Sequence, residues 1–155
     1  MGGRASRQKG MRGEYAFRDA IRRFGYVADR VPCSGAAQGF KGDVRFSKDG
    51  KEYTAEVKSR KGSFKTLYAL FAEHFAQAQD DKLSIVVEGQ LINLSSSPVG
   101  ALEDCGHYTI AEHLPFYNKH RRTFKRLLKL KELVKGCDLL VVKDNNKPFL
   151  FIRYR

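Results

Sequence analysis

Cysteine is scarce in this chain, long apolar runs are missing, and acidic residues are outnumbered. Each shortage removes a class of protein. Cys33, Cys105 and Cys137 are odd in number and far apart, which argues against a disulfide framework and fits reduced thiols in a cytoplasmic protein. Cys105, His107, His113 and His120 match none of the paired-ligand spacings of zinc sites. The longest apolar runs, such as "CDLLVV", fall far short of the ~20 residues that span a bilayer. No charged segment followed by an apolar stretch marks a secretory leader. "MGGRAS" formally matches a myristoylation pattern, but its basic, Gly-rich composition reads equally well as an arm.

What is present points to a polyanion. Lys and Arg number 29 against 17 Asp and Glu, a formal charge of +12 over 155 residues. That length suits a single domain, residues 1–155, with a real core. The charge makes nucleic acid the first partner to test and an anionic membrane surface its rival.

Along the chain, residues 1–13 carry Arg4, Arg7, Lys9 and Arg12 among glycines with no acid, and are expected to form a flexible basic arm. Phe17, Ala20, Ile21 and Phe24 then recur at helical spacing, and Gly25 stops that helix. "YVADRV" reads as a first strand, followed by the small-residue loop "PCSGAAQGFKG". After a hairpin over 42–59, "SFKTLYALFAEHFAQAQ" predicts a helix with Ser63 as its cap. Residues from about 76 to 118 have β-rich composition in "KLSIVVEGQLINL" but no strong period later, and are expected to be an elaboration inserted in the domain. "KHRRTFKRLLKLKELVK", 119–135, predicts a basic amphipathic helix, and "DLLVV" and "FLFIRY" a closing hairpin.

The first hairpin repays counting. If Asp49 and Gly50 take the two central turn positions, opposed residues sum to 99. Phe46 then faces Tyr53 and Val44 faces Ala55 on one surface, while Arg45 faces Thr54 and Asp43 faces Glu56 on the other, with Lys58 two residues beyond. Like charges directly opposed are destabilising, and a divalent cation relieves them, since Mg²⁺ takes carboxylate oxygen, water and substrate phosphate. An exposed sheet face neutralised by Arg45 and Lys58 is the competing explanation. Glu14 weighs against it, because it continues the Phe17, Ile21 and Phe24 stripe of the first helix.

With those residues in view, "KGMRGEYAFRDAIRRFGYVADRVPCSG", the "GD" at 42–43 and "EVKSR" at 56–60 resemble the PD-(D/E)xK nuclease superfamily. Within it the chain is most similar to the archaeal-type Holliday junction resolvases, over roughly residues 9–62. "ELVKGCDLLVVKDNNKPFLFIRY" resembles the closing part of related phage and bacterial proteins. The resemblance implies an α/β, restriction-endonuclease-like core, a central mixed β-sheet flanked by helices; the elaboration at about 76–118 is a departure from that pattern, one that bears on the dimer face and the DNA substrate. It implies Glu14 as the helix carboxylate of the metal site, Asp43 and Glu56 as strand ligands, Lys58 as the motif lysine and Ser34 as the loop serine beside the scissile phosphate. It also implies Mg²⁺, with Mn²⁺ able to substitute, and a homodimer that acts on branched DNA, above all four-way junctions. Gly42 stands where the family has proline.

The expected reaction is paired hydrolysis of DNA phosphodiesters by a cytoplasmic, DNA-associated enzyme that does not cross a membrane. Glu14, Asp43, Glu56 and the Val57 carbonyl are the expected metal contacts, and Lys58 positions water or stabilises the transition state. Phosphate-contact candidates are Arg4, Arg7, Lys9, Arg12, Arg30, Ser34, Lys41, Arg60 and Lys61, which gather in sequence around the site. The alternatives are a nuclease of the same superfamily acting on nicked, flapped or duplex DNA, and a non-catalytic DNA-binding protein on the same fold.

Overall fold

The computed structural model describes residues 3–31, 42–78, 81–103, 106–134 and 136–155, the side chains of 3–10 excepted. Its elements in chain order are α1 (Gly3–Arg23), β1 (Val27–Arg30), β2 (Val44–Lys48), β3 (Lys51–Arg60), α2 (Lys65–Ala78), β4 (Lys82–Val87), β5 (Gln90–Ser95), α3 (Pro98–Leu102), β6 (Thr109–Ile110), α4 (Arg121–Leu130), β7 (Leu139–Asp144) and β8 (Leu150–Tyr154). The strands form one eight-stranded sheet in the order β1-β2-β3-β7-β8-β5-β4-β6. It is mixed: β3 runs parallel to β7 and β4 to β6, and the remaining neighbours are antiparallel. The architecture is therefore α/β, a mixed sheet flanked by helices.

The hairpin register follows the Asp49–Gly50 turn. Val44 pairs with Ala55, Arg45 with Thr54 and Phe46 with Tyr53, so the sum of 99 holds. Asp49 and Gly50 have φ of 53° and 79°, the pair of positive values that a twisted two-residue hairpin turn requires and that Asp-Gly tolerates. The same device at Glu88 and Gly89 splits the β-rich stretch into β4 and β5, with Val87 opposite Gln90.

Two apolar layers hold the sheet. On one face Phe17 and Ile21 of α1 pack with Val44, Phe46, Ala55, Val57, Leu139, Val141 and Phe151. Phe17 is fully buried and meets Phe46 edge-on at 5.9 Å. On the other face Leu67, Leu70 and Phe71 of α2 and Phe124, Leu127 and Leu130 of α4 cover Leu140, Val142, Ile85 and Ile152. Each fully buried side chain of this size contributes roughly 1.5–3 kcal/mol, and strand alternation decides which face receives it.

Three expectations need correction. The flexible basic arm over residues 1–13 is helical from Gly3 onward: α1 starts fourteen residues before Phe17, where the apolar period begins, because Arg, Gln, Lys, Ala and Met favour helix without needing an apolar face. Ser63 does not cap α2. The amides of Gly62 and Phe64 donate instead to the Asp144 carboxylate at 2.6 and 2.9 Å. The basic helix expected over 119–135 is shorter, ending at Leu130 and tightening into a 3₁₀ turn at Lys131–Leu133. The stretch from about 76 to 118 is built into the sheet, supplying β4, β5 and β6 beyond β8.

Candidate active site and nucleic-acid interface

The site begins where α1 touches β3. Gly13 lies so close that a Cβ there would sit 3.1 Å from Cβ of Ser59 and 3.8 Å from Val57. That close approach brings Glu14, one residue on, over the end of the hairpin. Glu14 is 9% exposed, and its Oε2 accepts a short hydrogen bond from Nε of Arg30 on β1. Burial pushes the Glu14 carboxyl above its ordinary range, the Arg30 hydrogen bond draws it back, and neighbouring Asp43, which shares a hydrogen bond with it, raises it again. Arg30 also lies 5.4 Å from the centre of the Tyr15 ring, so a residue expected at phosphate serves Glu14 in this structure.

Asp43 is stitched into the end of β2 by three hydrogen bonds. Its amide donates to the Ala55 carbonyl at 2.8 Å, its carbonyl accepts from Val31 at 2.9 Å, and its Oδ2 accepts from the Val57 amide at 2.8 Å. The side chain thus takes an amide that a continued ladder would give to backbone. The N–H and C=O of a strand residue face the same edge, so the Val57 carbonyl faces Asp43 too. Gly42 has φ of 83°, which a proline ring, held near −65°, does not reach. A Cβ there would also stand 2.8 Å from Sγ of Cys137 and 2.9 Å from the Ala55 carbonyl oxygen. Position 42 therefore requires glycine for local backbone reasons.

Glu56 is 5% exposed and Lys58 half-buried. They align with Leu140 and Val142 of β7, on the face that α2 and α4 cover, whereas α1 packs on the opposite face. Glu14 and Asp43 therefore meet, and Glu56 approaches from the other side of the strand. In donor type the set fits a hard divalent cation: buried carboxylate oxygens with a backbone carbonyl alongside. Among the described residues, however, no three His, Cys, Asp or Glu side chains are gathered closely enough to hold a metal ion.

The remaining expected residues divide by position. Arg12 is exposed on α1, and Arg60 and Lys61 are exposed where β3 leaves the sheet. Arg4, Arg7 and Lys9 lie on the first turns of α1. Ser34 and Lys41 lie outside the described residues, as do Cys33 and Cys105. No described helix is long and apolar enough to cross a membrane.

The sequence offered no signal for Cys137. Its thiol is free and buried, pushed up by that burial, lowered by a hydrogen bond with Thr54 and raised by Glu56 and Asp43. It reaches the site because β7 pairs in parallel with β3, a long-range pairing that local patterns do not reveal. Protein-family models and curated proteins give no match to this chain.

Proposed function

We propose that this chain is a metal-dependent DNA endonuclease with a restriction-endonuclease-like core, acting as a homodimer on branched DNA and selecting four-way junctions. One observation carries the reading: just beyond the Val44–Ala55 pair that ends the hairpin register stands Asp43, whose buried carboxylate accepts from the Val57 amide and touches Glu14. An ordinary solvated hairpin has no use for buried acids at its open end, because burying a carboxylate is costly unless a partner or cation compensates.

Asp43 and Glu56, with the Val57 carbonyl, would hold Mg²⁺ or Mn²⁺. When bound, such an ion polarises the phosphate and lowers the pKa of an attacking water. Glu14 would orient that water, with Arg30 fixing its carboxylate and opposing the effect of burial on its charge. Lys58 is a compact cation suited to steady charge on the pentavalent phosphorus. Arg12, Arg60 and Lys61 are exposed for phosphate contact, as a chain of formal charge +12 requires of a DNA-bound protein.

The test is cleavage of an immobile four-way junction beside linear duplex and flap DNA, in Mg²⁺ and in EDTA, at fixed salt. Metal-dependent paired nicks confined to the junction are expected. Asp43→Asn should lower cleavage by more than the about 10–100-fold that follows loss of an outer-shell partner at a metal site, while leaving junction binding intact. Cleavage that survives this substitution would discredit the site. Equal cutting of all three DNAs would keep the nuclease and remove the junction preference, and tight binding without cutting would leave a DNA-binding protein.

A further inference from the structure

Helix α4 concentrates positive charge at the end of a helix that is already positive. Its first turn holds Arg121 and Arg122 and no acid, and no side chain caps it at His120. The aligned peptide dipoles place about half a positive charge there, so these cations oppose the helix unless an anion joins them. Glu73 of α2 answers part of the charge, lying 2.5 Å from Nε2 of His120 and 3.5 Å from Nζ of Lys119. Arg121 donates to Oδ1 of Asn118 at 3.0 Å. Arg122 is exposed and has no ion pair among the described residues.

A cleft of about 640 Å³ opens between this turn and α2, walled by Thr66 and Ala69 on one side and residues 118–123 on the other. Thr123 lines it, is 6% exposed, and makes no side-chain hydrogen bond among the described residues. Its hydroxyl is not one of the fully buried unpaired atoms among the described residues, so it stays open to the cleft and able to donate to a ligand oxygen. The amides of residues 121–123 are also the ones that helix geometry leaves without carbonyl partners. Cationic side chain, helix-end amides and waiting hydroxyl together describe a receptor for a phosphate oxygen.

We propose that this cleft binds a backbone phosphate of the same DNA that Lys58 faces. The chain itself connects the two places. From Lys58 it passes exposed Arg60 and Lys61 and enters α2 at exposed Lys65, beside Thr66 of the cleft wall. Arg126 of α4 lies 5.2 Å from the centre of the Phe64 ring, which holds α4 against that entry. The site deepens the nuclease reading by giving the strand a second anchor, and rests on that reading only for DNA as the source of the phosphate.

The test measures binding of junction and duplex DNA by fluorescence anisotropy in EDTA, where nothing is cut, over a salt series. Arg122→Ala should weaken binding severalfold and reduce the slope of log K against log salt by about 0.9, the loss of one neutralised phosphate. Thr123→Val should weaken binding with the slope unchanged. Lys51→Ala, exposed at the hairpin turn, should leave the slope near that of wild type, and thermal melts should show all three folded. Inorganic phosphate should shift the amide resonances of residues 121–123 in wild type. If phosphate does so but Arg122→Ala binds DNA as Lys51→Ala does, the cleft is a small-anion site and the DNA assignment falls. If neither ligand is affected, the cleft is no anion site. Because these readings need no cleavage, failure of the Asp43 metal site would not disturb them, and their failure would leave that site standing.

Discussion

Burial of the Glu14 carboxyl works against its charge. Desolvation outweighs the Arg30 hydrogen bond, so the folded chain holds the Glu14 proton more tightly than the unfolded chain, above the ordinary 4.5. An acid raised in this way favours the fold at low pH, and that advantage fades as pH rises from about 4.5 through the raised value. At neutral pH the ionised group is therefore a net cost to stability. Glu14→Gln, which mimics the protonated form, should raise the melting temperature at pH 7 in EDTA and show no gain below pH 4, while junction cleavage in Mg²⁺ is lost. A melting temperature that falls at pH 7 would mean that the Arg30 pair stabilises more than burial costs. Glu14 was legible in the sequence because it continued an apolar stripe. Its Arg30 partner was not, since that contact depends on where β1 lies across α1.

At the scale of elements, the start of α2 is decided far away in sequence. Arg60 pairs with Asp144 across the parallel β3–β7 ladder, so the end of β7 lies beside the chain as it turns into α2. The Gly62 and Phe64 amides hold the Asp144 carboxyl below its ordinary 3.8, Gly62 more strongly, against a smaller opposing effect of burial. An acid lowered in this way stabilises the fold above pH 3.8, and that contribution is lost as pH falls through the lowered folded value. Asp144→Asn should therefore give a lower urea midpoint at pH 7, with the difference from wild type closing below about pH 3.8. A gap that persists unchanged at acid pH would show that packing, and not charge, is what Asp144 supplies. Ser63 was the reasonable local choice for a cap, and only the parallel pairing of two distant strands replaced it. The hairpin, by contrast, was legible down to its register, because the Asp49–Gly50 turn and the side-chain period of two are both local.

Over the whole molecule, a charge of +12 makes the salt dependence of binding the test of the proposed DNA partner. If about six to ten phosphates are contacted, affinity for duplex should fall about 10³–10⁵-fold between 50 and 200 mM salt, measured by anisotropy. A nearly flat salt response would remove nucleic acid as the partner. The basic residues were countable in the sequence, but their grouping was not. Arg122 and Thr123 face a cleft with Thr66 only because α2 and α4 pack on one side of the sheet. The sequence alone determined the charge, the α1 stripe carrying Glu14, and the hairpin register from Val44–Ala55 to Lys48–Lys51, since each depends on composition, helical period or a two-residue turn. Tertiary structure alone decided that Arg30 meets Glu14, that Cys137 lies beside Gly42, and that β4, β5 and β6 enlarge the sheet. Those outcomes come from contacts between residues far apart in the chain, whose energies no local pattern encodes.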